Sequence, residues 1–383
     1  MLETANKPKN RDQTLDIFRA VAVLFVVLFH YTARLPLQVF GASESILPEF
    51  SFGWVGVYFF FILSGFCIFF TLERAPTVWT FFAKRISRIY PAFVAAALLL
   101  FAVDQVFPLP ILPEYSYRDA LPRFIDLVGN LFLMGGVFEW VNGSFWSITV
   151  EIQFYLLIGA MAMFIKQGAR LARVFSYLSI VMGLLWLVVM FGSMQIDVLG
   201  KVALALKKGL IAPYLPFFAL GVVGVQLKAR ATNSGILFVV LTVLSVAIVM
   251  VMSADEVDAF LTLQSLSTGL IVLGLVGIFS AYCVGWRLPH IPLFSNGMGH
   301  IGLLSYSWYL LHENLGFLLL DALNPALPYW ASVVVTMLAT YAAAVVFSKL
   351  FEWRFRAIVE RMVGAALGVV AKLLPQKISE GLA

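Results

Sequence analysis

LDIFRAVAVLFVVLFHY, residues 15–31, is the stretch whose reading decides the fold. Apart from Asp16, Arg19 and His30 it is apolar or aromatic. With its neighbours it is long enough for a helix across the roughly 30 Å of a bilayer's hydrocarbon. Arg19 and His30 are eleven residues apart, about 16 Å of rise and about three turns on an α-helix, so both fall on one stripe. A guanidinium and an imidazole inside a span are costly unless the protein interior uses them. Arg19 stands near the start of the helix and His30 near its far end, so the stripe links the two sides of a bilayer.

The rest of the chain extends this theme. Of its 383 residues 61% are hydrophobic and 12% charged, and the mean hydropathy is +0.94. Soluble domains carry about 25% charged residues. The composition therefore predicts an all-α polytopic membrane protein. Ten spans are expected, at about 15–34, 53–72, 89–107, 145–165, 174–192, 209–227, 235–253, 261–284, 301–321 and 329–350. The first apolar segment has no small-residue cleavage site after it, so no cleavable leader is expected. Cys67 and Cys283 both fall in apolar segments and read as small buried hydrophobes, with neither a disulfide framework nor metal-ligand spacing. A net charge of +5 does not point to nucleic acid. No internal repeat is evident, unlike many transporters.

The distribution of basic residues sets the expected topology. Lys7, Lys9 and Arg11 precede the first span, and Arg74, Lys84, Arg85 and Arg88 lie between the second and third. Lys166, Arg170 and Arg173 follow the fourth, Lys228 and Arg230 the sixth, and Arg287 the eighth. Lys349, Arg354, Arg356, Arg361, Lys372 and Lys377 close the chain. Only Arg34, Arg118, Arg123, Lys201, Lys207 and Lys208 fall on the other side, where Asp255, Glu256 and Asp258 add acidity. By the positive-inside rule both termini are cytoplasmic. Counting 123–144 as a further span would invert everything after it. That stretch contains Asp126, Asn130, Glu139 and Asn142, and it reads as a re-entrant or surface element on the outer side. The expected organisation is a cytoplasmic tail over 1–14, a membrane domain over 15–350 and a basic cytoplasmic tail over 351–383. Within that tail, 352–372 can form a basic helix on the inner surface.

Four constellations could carry chemistry. His30 is either a helix-packing histidine or a general base, the side chain best suited to exchanging a proton near neutral pH. Arg19 alone would read as a snorkelling arginine; the shared stripe favours function for both. Ser147 and Glu151, four apart at the start of the fourth span, face the same way at a depth similar to His30. An ionisable group there is a functional candidate, and Glu151 is expected to orient His30. Arg85 and Arg88 share a helix face with Lys84 beside them, which is either topology-setting charge or a phosphate clamp. Tyr306, Tyr309, His312 and Glu313 crowd two turns of the ninth span and suggest a face on a wet cavity. The glycines of residues 53–66, a run that also holds Ser64, allow close helix approach, weak evidence alone.

Taken together, these segments resemble the acyltransferase 3 family of integral membrane O-acyltransferases. Arg19 through His30 looks like its Arg-x10-His signature, and residues 53–66 like its Phe-x-x-Ser-Gly-Phe pattern. Arg85-Ile86-Ser87-Arg88 matches its Arg-x-x-Arg, Ser147 with Glu151 its Ser-x-x-x-Glu, and Ser305 to His312 its Ser-Tyr-x-x-Tyr-Leu-x-His. The likeness runs from about residue 12 to about 350, without the esterase-like domain that some members carry.

The resemblance implies transfer of an acyl group from cytoplasmic acyl-CoA, most often acetyl-CoA and otherwise a donor such as succinyl-CoA, to a hydroxyl of an extracytoplasmic or lipid-linked glycan. It implies His30 as the catalytic histidine with Arg19 as its essential partner, and Arg85 and Arg88 as donor-binding residues. Ser147, or a tyrosine such as Tyr309, is expected to stabilise the oxyanion, and Tyr306, Tyr309 and His312 to face substrate. No metal is expected. A bacterial inner membrane is the implied location. A small-molecule acceptor such as a macrolide, and a transporter or flippase of a lipid-linked sugar, are the competing readings.

Overall fold

The computed structural model describes residues 12–34, 48–108, 122–134, 137–165, 168–254 and 261–373. Lys7, Lys9, Arg11, Arg118, Lys166, Asp255, Glu256, Asp258 and Lys377, which entered the charge pattern, lie outside them. The described residues form α1 (Gln13–Thr32), α2 (Val55–Leu72), α3 (Val78–Val106), α4 (Phe124–Leu131), α5 (Phe145–Phe164), α6 (Ala169–Gly192), α7 (Asp197–Gly209), α8 (Leu215–Lys228), α9 (Ser234–Ser253), α10 (Leu263–Cys283), α11 (Pro292–Leu323), α12 (Tyr329–Phe347) and α13 (Arg354–Leu373). Eight of the helical stretches are long and apolar enough to cross a membrane. The protein is all-α and polytopic, as its composition requires.

α8 and α11 stand at the other two expected positions and depart from the simple pattern. α8 has 14 residues, about 21 Å of helix and less than a hydrocarbon thickness. It survives because Leu215 through Gln226 are buried among other helices. The expected span at 209–227 therefore begins later, at Leu215, and the preceding residues form α7. That amphipathic helix was not foreseen: Lys201, Lys207 and Lys208 read as loop charges, and Ala203 is its buried residue. α3 begins eleven residues before its expected start and α11 nine before. A six-residue π-helical segment, Ser348–Trp353, joins α12 to α13, so the basic terminal helix continues directly from a span.

Four helices make the frame of the site. α1 and α11 run side by side in the same direction. Near their starts the Gln13 amide donates to the Ser295 carbonyl at 2.9 Å; further along, the Tyr31 hydroxyl donates to the His312 carbonyl at 2.7 Å. A β-carbon at Gly302 would be driven into the Asp16 carbonyl, so glycine there lets the two backbones touch. α2 and α8 do the same, with Gly65 against the Phe218 carbonyl and Gly221 against that of Ile62. Close packing through small residues is how membrane helices adhere when lipid is as apolar as the side chains. Phe218 then stacks on Phe61 at 4.7 Å and on Phe154 at 4.2 Å, which brings α5 against the pair.

Between α3 and α5 the described residues form no span. α4 is 8 residues long, and the segment after it folds back against α11. Asn142 donates to the Leu310 carbonyl and the Asn314 amide to that of Val141, both at 2.8 Å. Burial raises the cost of ionising Asp126 in α4. The Arg123 guanidinium and the amides of Arg123 and Glu139 outweigh that cost and hold its carboxyl below the ordinary 3.8. Irregular backbone is thus satisfied by protein, as membrane depth demands.

Candidate active site

Two chambers lie along the α1 stripe. The proximal one, beside the first half of α1, is narrow, about 100 Å³, with Arg19, Cys67, Arg85, Arg88 and Glu151 in its walls. The distal one, about 300 Å³, is lined by His30, Arg34, Trp54, Trp140, Trp146 and Glu313 among others. Val57 and Tyr309 belong to both walls. The Tyr309 hydroxyl sits 2.6 Å from Ser147 Oγ and donates to the Ser144 carbonyl at 3.0 Å. One tyrosine thus stands between the two spaces.

In the distal chamber, neighbours set the tautomer of both histidines. A carbonyl only accepts, so the Val26 carbonyl 2.8 Å from His30 Nδ1 puts a proton on that nitrogen. The Tyr309 carbonyl does the same for His312 Nδ1, also at 2.8 Å. His312 Nε2 is then an acceptor, 3.3 Å from His30 Nδ1. What is left is His30 Nε2, which carries a lone pair when the ring is neutral and faces Glu313 Oε1 at 3.5 Å. Glu313 Oε2 is buried and meets no hydrogen-bond partner among the described residues. Gly143 makes room for that carboxylate, because a β-carbon there would meet Oε1 at 2.5 Å. A buried acceptor left unmatched on a cavity wall is an opening for a donor from elsewhere.

In the proximal chamber the guanidinium groups of Arg19 and Arg85 are held differently. Arg19 pairs with Asp16 Oδ1 at 3.0 Å and reaches Cys67 Sγ at 3.1 Å. Arg85 is 7% exposed. It donates from Nη2 to the Thr71 hydroxyl at 3.2 Å, while its Nε meets no partner among the described residues. Glu151 accepts from the Tyr155 hydroxyl at 2.6 Å and from Ser64. The Tyr306 hydroxyl is committed to the Ile89 carbonyl at 2.8 Å.

The expected pairing of Glu151 with His30 is therefore corrected. The carboxylate beside His30 is Glu313, one residue past His312 on α11, and Glu151 is held in the proximal chamber by α2 and by its own helix. Arg19, Arg85, Arg88, Glu151, Ser147, Tyr306 and Tyr309 line that chamber. Lys84 does not, and His312 is fully buried behind His30, in neither wall. Cys67 is half-buried rather than buried. Sequence reasoning gave Glu313 only a place on a cavity face, not the role of partner to His30, and gave Ser64 no role of its own, although both stood inside quoted motifs. The signal for Glu313 was a carboxylate following a histidine in a buried span.

Comparisons with known proteins point to one family. A family model described as an acyltransferase domain matches residues 12–349. An O-acetyl transferase of Shigella phage Sf6 is 27% identical over 171 residues, which is 42% of this chain and 48% of that protein. Acyltransferase MdmB of Streptomyces mycarofaciens is 28% identical over 140 residues, 34% of this chain and 35% of that protein. A putative acetyltransferase of Acidianus two-tailed virus is 29% identical over 163 residues, 41% and 43% of the two. The chain thus spans about a third to a half of the length of the curated relatives it matches. No solved structure matches.

Proposed function

The chain belongs to the acyltransferase 3 family, and from that premise we propose that it moves an acyl group from acyl-CoA, most often acetyl-CoA, to a hydroxyl of a glycan. The observation that carries the reading is the stacking of two unlike chambers on one line. One holds guanidinium groups suited to phosphates and the other a histidine–carboxylate pair.

The donor's phosphates bind at the proximal mouth through Arg85 and Arg88, in the bidentate manner that suits arginine. The narrow proximal space suits an extended thioester arm, which rises past Arg19 toward Tyr309. The acceptor enters the distal chamber, where Trp54, Trp140 and Trp146 offer flat apolar faces for a sugar ring. His30 Nε2 takes the hydroxyl proton, and the Glu313 carboxylate stabilises the imidazolium that forms. The alkoxide attacks the thioester carbonyl. Ser147 or Tyr309 donates a hydrogen bond to the oxyanion. The thiolate leaves and recovers the proton from His30. The charge pattern supports both termini in the cytoplasm and donor entry from that side, with a bacterial inner membrane as the setting.

The test is thiol release from acetyl-CoA by detergent-purified protein, with and without a glycan-lipid extract. Acceptor-dependent release that His30→Ala abolishes is the expected result. No release from acetyl-CoA or succinyl-CoA with any extract would overturn the donor assignment.

A further inference from the structure

The mechanism above gives no task to Cys67. It is one of two cysteines in the chain. Cys283 is buried among apolar side chains, whereas Cys67 is half-buried and opens on the proximal chamber. Arg19 Nη2 donates to its sulfur at 3.1 Å, so a cation already faces the sulfur from the chamber wall. A second observation points to a ligand in the same space. Arg85 is 7% exposed and its Nε is unmatched among the described residues. Thr71 ties the two together: its hydroxyl donates to the Cys67 carbonyl at 2.7 Å and accepts from Arg85 at 3.2 Å. Thr71 thus links the Cys67 backbone to the Arg85 guanidinium, and the side chains of Cys67 and Arg85 line the same chamber.

We infer that Cys67 is a thiol–disulfide exchange site for anionic low-molecular-weight disulfides, and that its mixed disulfide shuts the proximal chamber. In the exchange Cys67 gives its proton to water and its sulfur attacks one sulfur of the incoming disulfide. A new S–S bond forms as the old one breaks, and the other half leaves as a thiolate that takes up a proton. The disulfide itself is the oxidant. That closure stops turnover rests on the donor reading given above; the exchange itself does not.

Two methanethiosulfonates of similar size test it. The 2-sulfonatoethyl reagent is anionic and the 2-trimethylammonioethyl reagent cationic. Intact-protein and peptide mass spectrometry follow the adduct, and each protein is scored against its own untreated thiol-release rate. The anionic reagent should modify Cys67 at least about tenfold faster, since cations lining the chamber attract it. Turnover should fall with labelling and return with dithiothreitol, and oxidised glutathione should form a mixed disulfide at the same cysteine. Cys67→Ser should keep its own rate through the treatment. Equal rates for the two reagents, or a fully labelled protein that still turns over, would sink the inference. Coenzyme A present during labelling separates the two readings. Labelling that it fails to slow speaks against the donor assignment while the thiol site stands; no labelling by either reagent removes the thiol site and leaves the donor assignment untouched.

Discussion

The distal and proximal chambers share Val57 and Tyr309 in their walls, yet their polar groups are held differently. At the distal chamber His30, and His312 buried behind it, are locked by carbonyls at 2.8 Å, so His30 Nε2, facing Glu313, is the nitrogen left to exchange a proton. In the proximal chamber Arg85 keeps an unmatched donor, its Nε meeting no partner among the described residues. A tightly held ring suits a bond-making step, which requires fixed geometry. Loosely matched guanidinium groups suit the capture of a charged ligand, which supplies the missing acceptors. The difference supports the proposal that this bundle divides binding from chemistry along its axis.

That division breaks most readily at His30. His30→Ala should lower turnover by at least about a hundredfold, the usual contribution of a general base, while coenzyme A still binds in a thermal-shift or calorimetric assay. Loss of both together would mean that the two chambers are not separable. Glu313→Gln should cost about ten- to a hundredfold in kcat, because a hydrogen bond to a charged group is worth about 1.5–3 kcal/mol. Its donor KM should stay put; a rise in KM with kcat unchanged would count against the pairing. Arg85→Gln should do the reverse, raising the donor KM about tenfold at a nearly constant kcat. Gly143→Ala sharpens the comparison further. The added methyl pushes the Glu313 carboxylate aside, so kcat should drop about fivefold with thermal stability unaltered, a small displacement at a reacting group.

The smallest effect concerns stability and pH. Asp126 ionises below its ordinary value when folded. Its contribution is therefore complete above the unfolded value near 3.9 and fades as pH falls through the lower, folded one. The melting temperature of the purified protein should decline in that acidic window. Asp126→Asn should melt lower at pH 7 and show a weaker decline; an unchanged slope would remove Asp126 from the account.

Much of this was readable along the chain, because helical period and charge scarcity are local properties. The Arg19–His30 stripe, the position of most spans and the Arg85–Arg88 face all follow from spacing. What local reading could not supply was which helix lies beside which. Glu151 and Glu313 are both carboxylates in spans, and nothing within either segment says which one meets His30. The parallel packing of α1 on α11, through Gly302, decides it. Cys67 was misread for the same reason, since its exposure depends on a chamber built by several helices. α7 escaped because its lysines outweighed its apolar face, and α8 was misplaced because burial by neighbours substitutes for length.

Tyr309 carries a consequence for the cell that would house this protein. An uninterrupted water-filled path from Arg85 to Trp140 would leak protons and ions and drain the gradients held across the bilayer. The Tyr309 ring, with its hydroxyl 2.6 Å from Ser147, and Val57 beside it belong to the walls of both spaces, where side chains can interrupt such a path. On the donor assignment proposed above, a thioester arm passing Tyr309 would have to fill the gap it opens, so the substrate would double as the stopper.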